Sequence, residues 1–155
     1  MKAVWLYRTA AVIFILFAAG HTYGFLSFRP ASAEGRAVWE SMINVHFLEH
    51  GSTFSYGNFY IGFGLSATAS MLFFAFLAWH MAGLARRNPQ AIGSLGWAMF
   101  LLQFVSIGMN WHYFSVAPAM FAAVLAIILG CAAWLAGSST TEHSQHGKVL
   151  EALSR

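Results

Sequence analysis

The sequence predicts an all-α integral membrane protein: a bundle of four transmembrane helices with one further helix between the first and second spans. Of its 155 residues, 59% are hydrophobic and only 8% are charged, whereas about a quarter are charged in ordinary soluble domains. Four apolar stretches are each long enough to cross a hydrocarbon core of about 30 Å at about 1.5 Å per residue. A polar insert between the first two carries three of the five acidic residues. Lipid must therefore be the solvent for most of this chain.

The first span is predicted over residues 9–28, after a short basic start, and Pro30 ends it. The positive start, the apolar run and the sequence Ala31-Ser32-Ala33 also imitate a secretory signal peptide with its cleavage site. The apolar run is longer than the core of such a peptide, so we expect it to remain in the protein as a helix.

The polar insert, residues 29–58, is predicted to hold a helix over residues 33–50. Ser32 can cap its N-terminus and Gly51 can end it. Polar and apolar side chains are mixed around this helix at about 100° per residue. Such mixing favours a packed position at the membrane surface or between the spans.

Three more spans are predicted over residues 59–84, 92–113 and 119–136, followed by a polar tail over residues 138–155. The spans and the insert make a single domain, residues 1–137. Small residues recur every four positions in the second and fourth spans: Gly62, Ser66 and Ser70, then Ala122, Ala126 and Gly130. Such stripes let helices approach closely. They fit a tight bundle and equally a homo-oligomer or a larger membrane complex.

The distribution of Lys and Arg predicts the orientation in the plasma (inner) membrane of a bacterium. With the N-terminus inside, the inner side holds Lys2, Arg8, Arg86, Arg87, Lys148 and Arg155, and the outer side only Arg29 and Arg36. The positive-inside rule then makes both termini cytoplasmic and residues 29–58 periplasmic or extracellular. The basic residues form no stripe interleaved with aromatics, so nucleic acid is excluded as a partner.

His46 and His50 are the first candidate site. On a helix that continues to residue 50 they lie one turn apart and can share a metal ion, with Glu49 or a residue from elsewhere in the protein completing the ligand set. The zinc-protease pattern requires Glu directly after the first His, and Phe47 stands there. The alternative is two interfacial histidines bonded to backbone, Glu49 or lipid headgroups. Since Cys131 is the single cysteine, no internal disulfide is expected.

His21 is the second candidate. It lies about 10 Å below the outer end of the first span, by the helical rise per residue, where a polar group is costly and functional by default. We expect Glu40 or Glu49 of the insert to contact it and to form an acid–base set with it. The alternative is a structural hydrogen bond to Asn110, Gln103 or Glu49.

Four further residues are expected to orient a substrate: Asn44, Tyr60, Gln103 and Asn110. A haem would need two histidines at matching depth, and His21 and His112 could meet that condition. The small-residue stripes predict packing too close for a porphyrin. We therefore expect no cofactor, with a metal ion at His46 and His50 as the remaining alternative.

Two functions stay open. In the first, His21, Glu40 and Glu49 perform acid–base chemistry of the isomerase, cyclase or hydrolase type on a small lipophilic substrate. In the second, the protein is a non-catalytic subunit of a larger membrane complex that binds lipid, pigment or a cofactor. A lid that buries Glu and His over a cavity would favour the first, and a solid interior with an apolar flank would favour the second. Membrane lipids are partners in either case.

Overall fold

The computed structural model describes the backbone of residues 1–153 and the side chains of residues 1–138. Helices make up 85% of the structure, which confirms the all-α class apart from one short hairpin. In chain order the elements are α1 (Lys2–Ser27), α2 (Ala33–Asn44), β1 (His46–Glu49), β2 (Ser52–Ser55), α3 (Tyr56–Arg87), a 3₁₀ turn (Pro89–Ala91), α4 (Gly93–Tyr113) and α5 (Val116–Leu153).

Among the described residues, three helices are long and apolar enough to cross a membrane: α1, α3 and the Val116–Ser138 part of α5. Their outward side chains are apolar and large. Phe63 on α3 is 71% exposed and Ile127 on α5 is 67% exposed. Apolar surface of this extent needs lipid to cover it, so the chain is a helical membrane protein. α4, which has 21 residues and carries the buried Gln103, is not among these three.

The chain folds as two compact units. The first, which we call the core unit, comprises Met1–Phe14 and Phe74–Arg155. The second, which we call the insert unit, comprises Ile15–Phe73. α1 and α3 each contribute one part to either unit.

Small residues bring the helices of the core unit into close contact. Ala122 and Ala126 of α5 are buried, and a β-carbon built on Gly130 would lie 3.0 Å from the ring of Phe100 on α4. The small-residue stripe of the fourth predicted span therefore packs inside, as its spacing predicts. The largest fully buried side chains of this unit are Tyr7, Phe14, Met81, Ile92, Leu125 and Leu129.

In the insert unit, α2 begins as the sequence predicts. The Ser32 hydroxyl accepts a hydrogen bond from the backbone N–H of Gly35 at 3.0 Å, which satisfies one of the free donors of the first turn. Glu34 adds a negative charge to that turn, where the helix dipole favours it. The helix then ends at Asn44 and not at residue 50.

The prediction of one helix over residues 33–50 is wrong, because a β-hairpin follows α2. Its two strands pair antiparallel, with Phe47 opposite Phe54 and ring centroids 6.4 Å apart. His50 and Gly51 connect them with φ values of 49° and 80°, and two positive φ values are what a type I′ turn requires. Gly51 is thus a turn residue and not a helix stop. Both phenylalanines also contact Phe59 of α3. Cap and stop residues of a helix cannot predict such a contact, because it joins separate elements of the fold.

α4 matches its predicted span to within one residue, whereas α1, α3 and α5 are longer than theirs, because the apolar length sets the span while the helix continues into polar sequence. α1 begins at Lys2 and α3 runs from Tyr56 to Arg87. The predicted polar tail, residues 138–155, continues α5 as a helix as far as Leu153. Its side chains after Ser138 lie outside the described part of the chain.

Candidate functional site

In the insert unit, His21 of α1 is bonded to the backbone of α3. Its Nε2 lies 3.2 Å from the carbonyl oxygen of Gly64. Because a carbonyl oxygen only accepts, Nε2 carries the proton and donates it. In the neutral ring Nδ1 is then left with a free lone pair. The imidazole is half-buried, so this bond also satisfies a polar group at membrane depth.

Thr22, the residue after His21, and Thr68, one turn after Gly64 on α3, extend this polar contact. Thr22 Oγ1 and Thr68 Oγ1 are 2.8 Å apart. Thr22 also lies 2.8 Å from the carbonyl oxygen of Ala18, and Thr68 lies 3.1 Å from that of Gly64. The two hydroxyls have only two protons for these three contacts. In the contact between the threonines, either hydroxyl can be the donor. With His21, these residues form a polar seam between α1 and α3.

Gly64 makes this close approach possible. A β-carbon there would lie 2.7 Å from the ring of Phe25 on α1. The Phe25 ring also packs against the His21 imidazole, with centroids 5.1 Å apart. The absence of a side chain at position 64 therefore lets the aromatic ring cover the His21 bond.

A run of aromatic rings connects the seam to α2. Phe25 meets Tyr60 edge-on at 6.3 Å, Tyr60 meets Trp39 at 5.5 Å, and Trp39 meets Phe28 at 6.3 Å between centroids. Edge-to-face pairs of this kind each contribute about 0.5–1.5 kcal/mol beyond area burial. Trp39 thus links α2 to Phe28, just after the end of α1, and to Tyr60 on α3.

An open groove lies along α3 beside the hairpin. It has a volume of about 390 Å³, within the range of about 300–1,000 Å³ for small-molecule sites. Its lining is apolar and aromatic with two polar side chains: Phe54, Asn58, Phe59, Gly62, Phe63 and Ser66. The Ser55 hydroxyl accepts from the backbone N–H of Asn58 at 3.1 Å and so caps the helix that carries this groove.

The predicted contact between His21 and an insert carboxylate is not formed among the described side chains. Glu40 is exposed on α2. Glu49 lies at the end of β1, where its Oε1 is 3.0 Å from Nδ1 of His50, with both side chains largely exposed. A pair so open to solvent contributes about 0–1 kcal/mol. The insert helix ends before it can carry Glu49 towards His21, and the Gly64 carbonyl takes the partner role instead.

The helical spacing assumed for the metal pair is also wrong. His46 begins β1 and His50 belongs to the turn. Because a strand rises about 3.4 Å per residue, His46 lies about 10 Å from the Glu49 end of the strand. His46 Nδ1 instead donates to the carbonyl oxygen of Asn44 at 2.8 Å. Within the described residues, no group of three or more His, Cys, Asp or Glu side chains could hold a metal ion.

The structure divides the predicted substrate-orienting residues between the two units. Tyr60 is half-buried in the aromatic run beside His21, and Asn44 is exposed at the end of α2. Gln103 is buried and Asn110 half-buried on α4 in the core unit. His112, considered as a haem ligand, is exposed, with its ring 4.6 Å from that of Tyr113.

Sequence reasoning missed the polar seam and the groove. The stripe chosen on α3 (Gly62, Ser66 and Ser70) faces away from α1, while Gly64 and Thr68, also four residues apart, make the contacts. The spacing of Gly64 and Thr68 could have predicted a second face of α3 for close helix packing. The groove depends on the hairpin, whose signal was the His-Gly pair between two short stretches that each contain a phenylalanine.

Comparison with known proteins adds no assignment: no family model, no curated protein and no solved structure matches this chain.

Proposed function

We propose that this chain is a non-catalytic integral membrane protein that binds a small lipophilic molecule in the α3 groove. The observation that carries the proposal is the combination of three phenylalanines with two polar side chains in one open, apolar depression. In a bilayer such a depression is filled by lipid tails or by a molecule that fits it better. Binding sites for small molecules share this pattern of apolar walls with a few placed polar groups.

The spacing of the polar groups suggests the class of ligand. Asn58 lies in the first turn of α3 and Ser66 eight residues further, which is about 12 Å along the helix axis. The Phe59 and Phe63 rings lie between them, with centroids 6.2 Å apart. We propose a flat or polyunsaturated lipophile whose polar end meets the Asn58 amide and whose apolar body lies on the phenylalanine rings.

Binding is favoured over catalysis because the groove and the histidine lie on different faces of α3. Ser66 in the groove and Gly64 at the His21 bond are two residues apart, which is about 200° around the helix. A groove ligand therefore lies away from the His21 imidazole. The carboxylates expected as its catalytic partners are exposed elsewhere in the insert unit.

The proposed membrane arrangement has four spans. α4 is about 31 Å long at about 1.5 Å per residue, enough to cross the hydrocarbon core. Its polar Gln103 is buried while Leu101 and Phe104 are exposed, the distribution expected for a helix in lipid. We further propose that this is a bacterial inner membrane, with both termini in the cytoplasm, residues 29–58 outside and α2 at the outer surface.

Filling the groove tests the binding proposal. A β-carbon on Gly62 would meet no atom within 4 Å, so Gly62→Phe should occupy the groove without disturbing the packing. Gly20→Phe is the matched control, because Gly20 on α1 is equally open and lies outside the groove. Each protein is purified in mild detergent, and its bound lipophiles are extracted and quantified by mass spectrometry.

We expect wild type and Gly20→Phe to retain one non-bulk lipophile in near-stoichiometric amount, and Gly62→Phe to lose most of it. If all three carry only bulk lipid in the same proportions, the groove is not a specific site. Equal retention of a specific lipophile by Gly62→Phe would place its site elsewhere.

Acid–base catalysis is a second candidate, favoured by one observation: the His21 Nε2–H is used by Gly64, which leaves Nδ1 as a free base. His21→Gln keeps an N–H donor for that carbonyl and removes the base. Membrane extracts from cells expressing wild type or His21→Gln are compared by untargeted lipid mass spectrometry. A lipid that is found in cells expressing wild type and not in cells expressing His21→Gln supports catalysis. Identical extracts from equally expressed proteins exclude His21 as a base.

A further inference from the structure

Arg8 in the core unit lies between two tryptophans. Its guanidinium carbon is 5.6 Å from the ring centroid of Trp5 and 5.5 Å from that of Trp79. Both distances allow a cation–π interaction, so two rings, one on α1 and one on α3, hold the half-buried guanidinium in place. A half-buried cation has lost part of its hydration, and a directly bound anion can offset the cost of leaving that charge unpaired.

Two more arginines line depressions that Arg8 also lines. Arg8 lies in the wall of two neighbouring depressions, one of which also includes Arg86 and the other Arg87. Both residues belong to the last turn of α3. We call Trp5, Arg8, Trp79, Arg86 and Arg87 the Arg–Trp cluster.

No carboxylate balances this charge in the described part of the core unit. Residues 1–14 and 74–138 contain no Asp or Glu. The ion pair that the structure describes over residues 1–138, Glu49 with His50, belongs to the insert unit. The positive charge of α3 at Arg86 and Arg87 is favoured by the helix dipole, but Arg8 lies in the second turn of α1, where the dipole gives it no such support.

We propose that the Arg–Trp cluster binds the phosphate headgroup of an anionic phospholipid. Guanidinium groups bind phosphate through paired N–H donors, and tryptophans are typical of the membrane–water interface where headgroups lie. The depressions also have apolar walls, including Val4, Ala85 and Leu84, which suit the glycerol and upper acyl carbons. Basic pockets between transmembrane helices are a recurrent form of lipid headgroup site. A free phosphate ion would use the arginines but not the apolar walls.

The test measures lipid binding to the intact protein. Wild type in phosphatidylcholine nanodiscs is titrated with phosphatidylglycerol or cardiolipin, and bound lipid is counted by native mass spectrometry. Arg8→Gln should weaken binding about fivefold, and Arg8→Gln with Arg86→Gln about 25-fold. Each substitution removes one positive charge, and each such charge contributes about fivefold to the attraction of an anionic lipid. Arg8→Lys keeps the charge but not the planar group, and should lie between wild type and Arg8→Gln.

Arg29→Gln is the matched control. This arginine already donates to the carbonyl oxygens of Leu26 and Phe28 in the insert unit, so its loss should leave lipid binding unchanged. The lipid proposal is overturned if Arg8→Gln binds like Arg29→Gln, if phosphatidylcholine binds as tightly as the anionic lipids, or if millimolar inorganic phosphate displaces the lipid. Should Arg8→Gln fail to fold, Arg86→Gln and Arg87→Gln, both at exposed positions, provide the same comparison.

Discussion

Gly96 on α4 lies where three side chains of the core unit converge. A β-carbon at this position would be 2.7 Å from the Tyr7 hydroxyl, 3.0 Å from Ile92 Cγ2 and 3.1 Å from Ala133 Cβ. All three neighbours are buried, and Tyr7 is fully so. None can move aside into solvent or lipid, so Gly96→Ala must shift the packing of α4.

The size of the effect follows from two opposing contributions. An extra methyl group in a well-packed interior costs about 1–3 kcal/mol, whereas replacing glycine by alanine within a helix gains about 1 kcal/mol. Gly108 on the same helix has no atom within 4 Å of its added β-carbon, so Gly108→Ala keeps the gain without the cost. We therefore expect Gly96→Ala to be about 1–3 kcal/mol less stable than Gly108→Ala.

The Tyr7 hydroxyl makes a double-mutant cycle informative. It is buried and has no hydrogen-bond partner in the described structure, and such a group costs about 1–3 kcal/mol. Tyr7→Phe should thus be neutral or stabilising. Because it removes the atom closest to the new methyl group, it should restore at least about 1 kcal/mol to Gly96→Ala.

Reversible unfolding in mixed detergent micelles, followed by circular dichroism, gives the four free energies of the cycle. The packing argument fails if Gly96→Ala is as stable as Gly108→Ala. It also fails if the effect of Gly96→Ala is the same with Tyr and Phe at position 7.

Two further predictions concern the insert and the topology. At Gly51, where φ is 80°, Gly51→Val should lower thermal stability more than Gly51→Asn, because a β-branched residue is strained in that region and Asn tolerates it; equal melting temperatures would contradict the hairpin turn. In a Cys131→Ser background, single cysteines at Ser32 and Ser144 should be labelled from opposite sides of intact cells by a membrane-impermeant reagent. Labelling of both from one side would contradict the proposed four-span topology.

The sequence by itself determined the class of this protein. A chain with so few charges cannot cover its surface in water, so long apolar stretches must become helices that satisfy their own backbone in lipid. The sequence also predicted local features of the helices. Ser32 caps α2 as predicted, and Ala122 and Ala126 in the fourth predicted span, which share a helix face because they are four residues apart, are both buried.

The tertiary structure decided everything that depends on which residues meet across the fold. Helix and hairpin were both compatible with residues 45–55, and the contacts of Phe47 and Phe54 with Phe59 favour the hairpin. His21 needed a partner at its depth, but nothing local distinguished an insert carboxylate from the Gly64 carbonyl. That choice followed from how α1 and α3 pack in the insert unit, because the glycine brings the two backbones close enough for a ring nitrogen to reach a carbonyl oxygen.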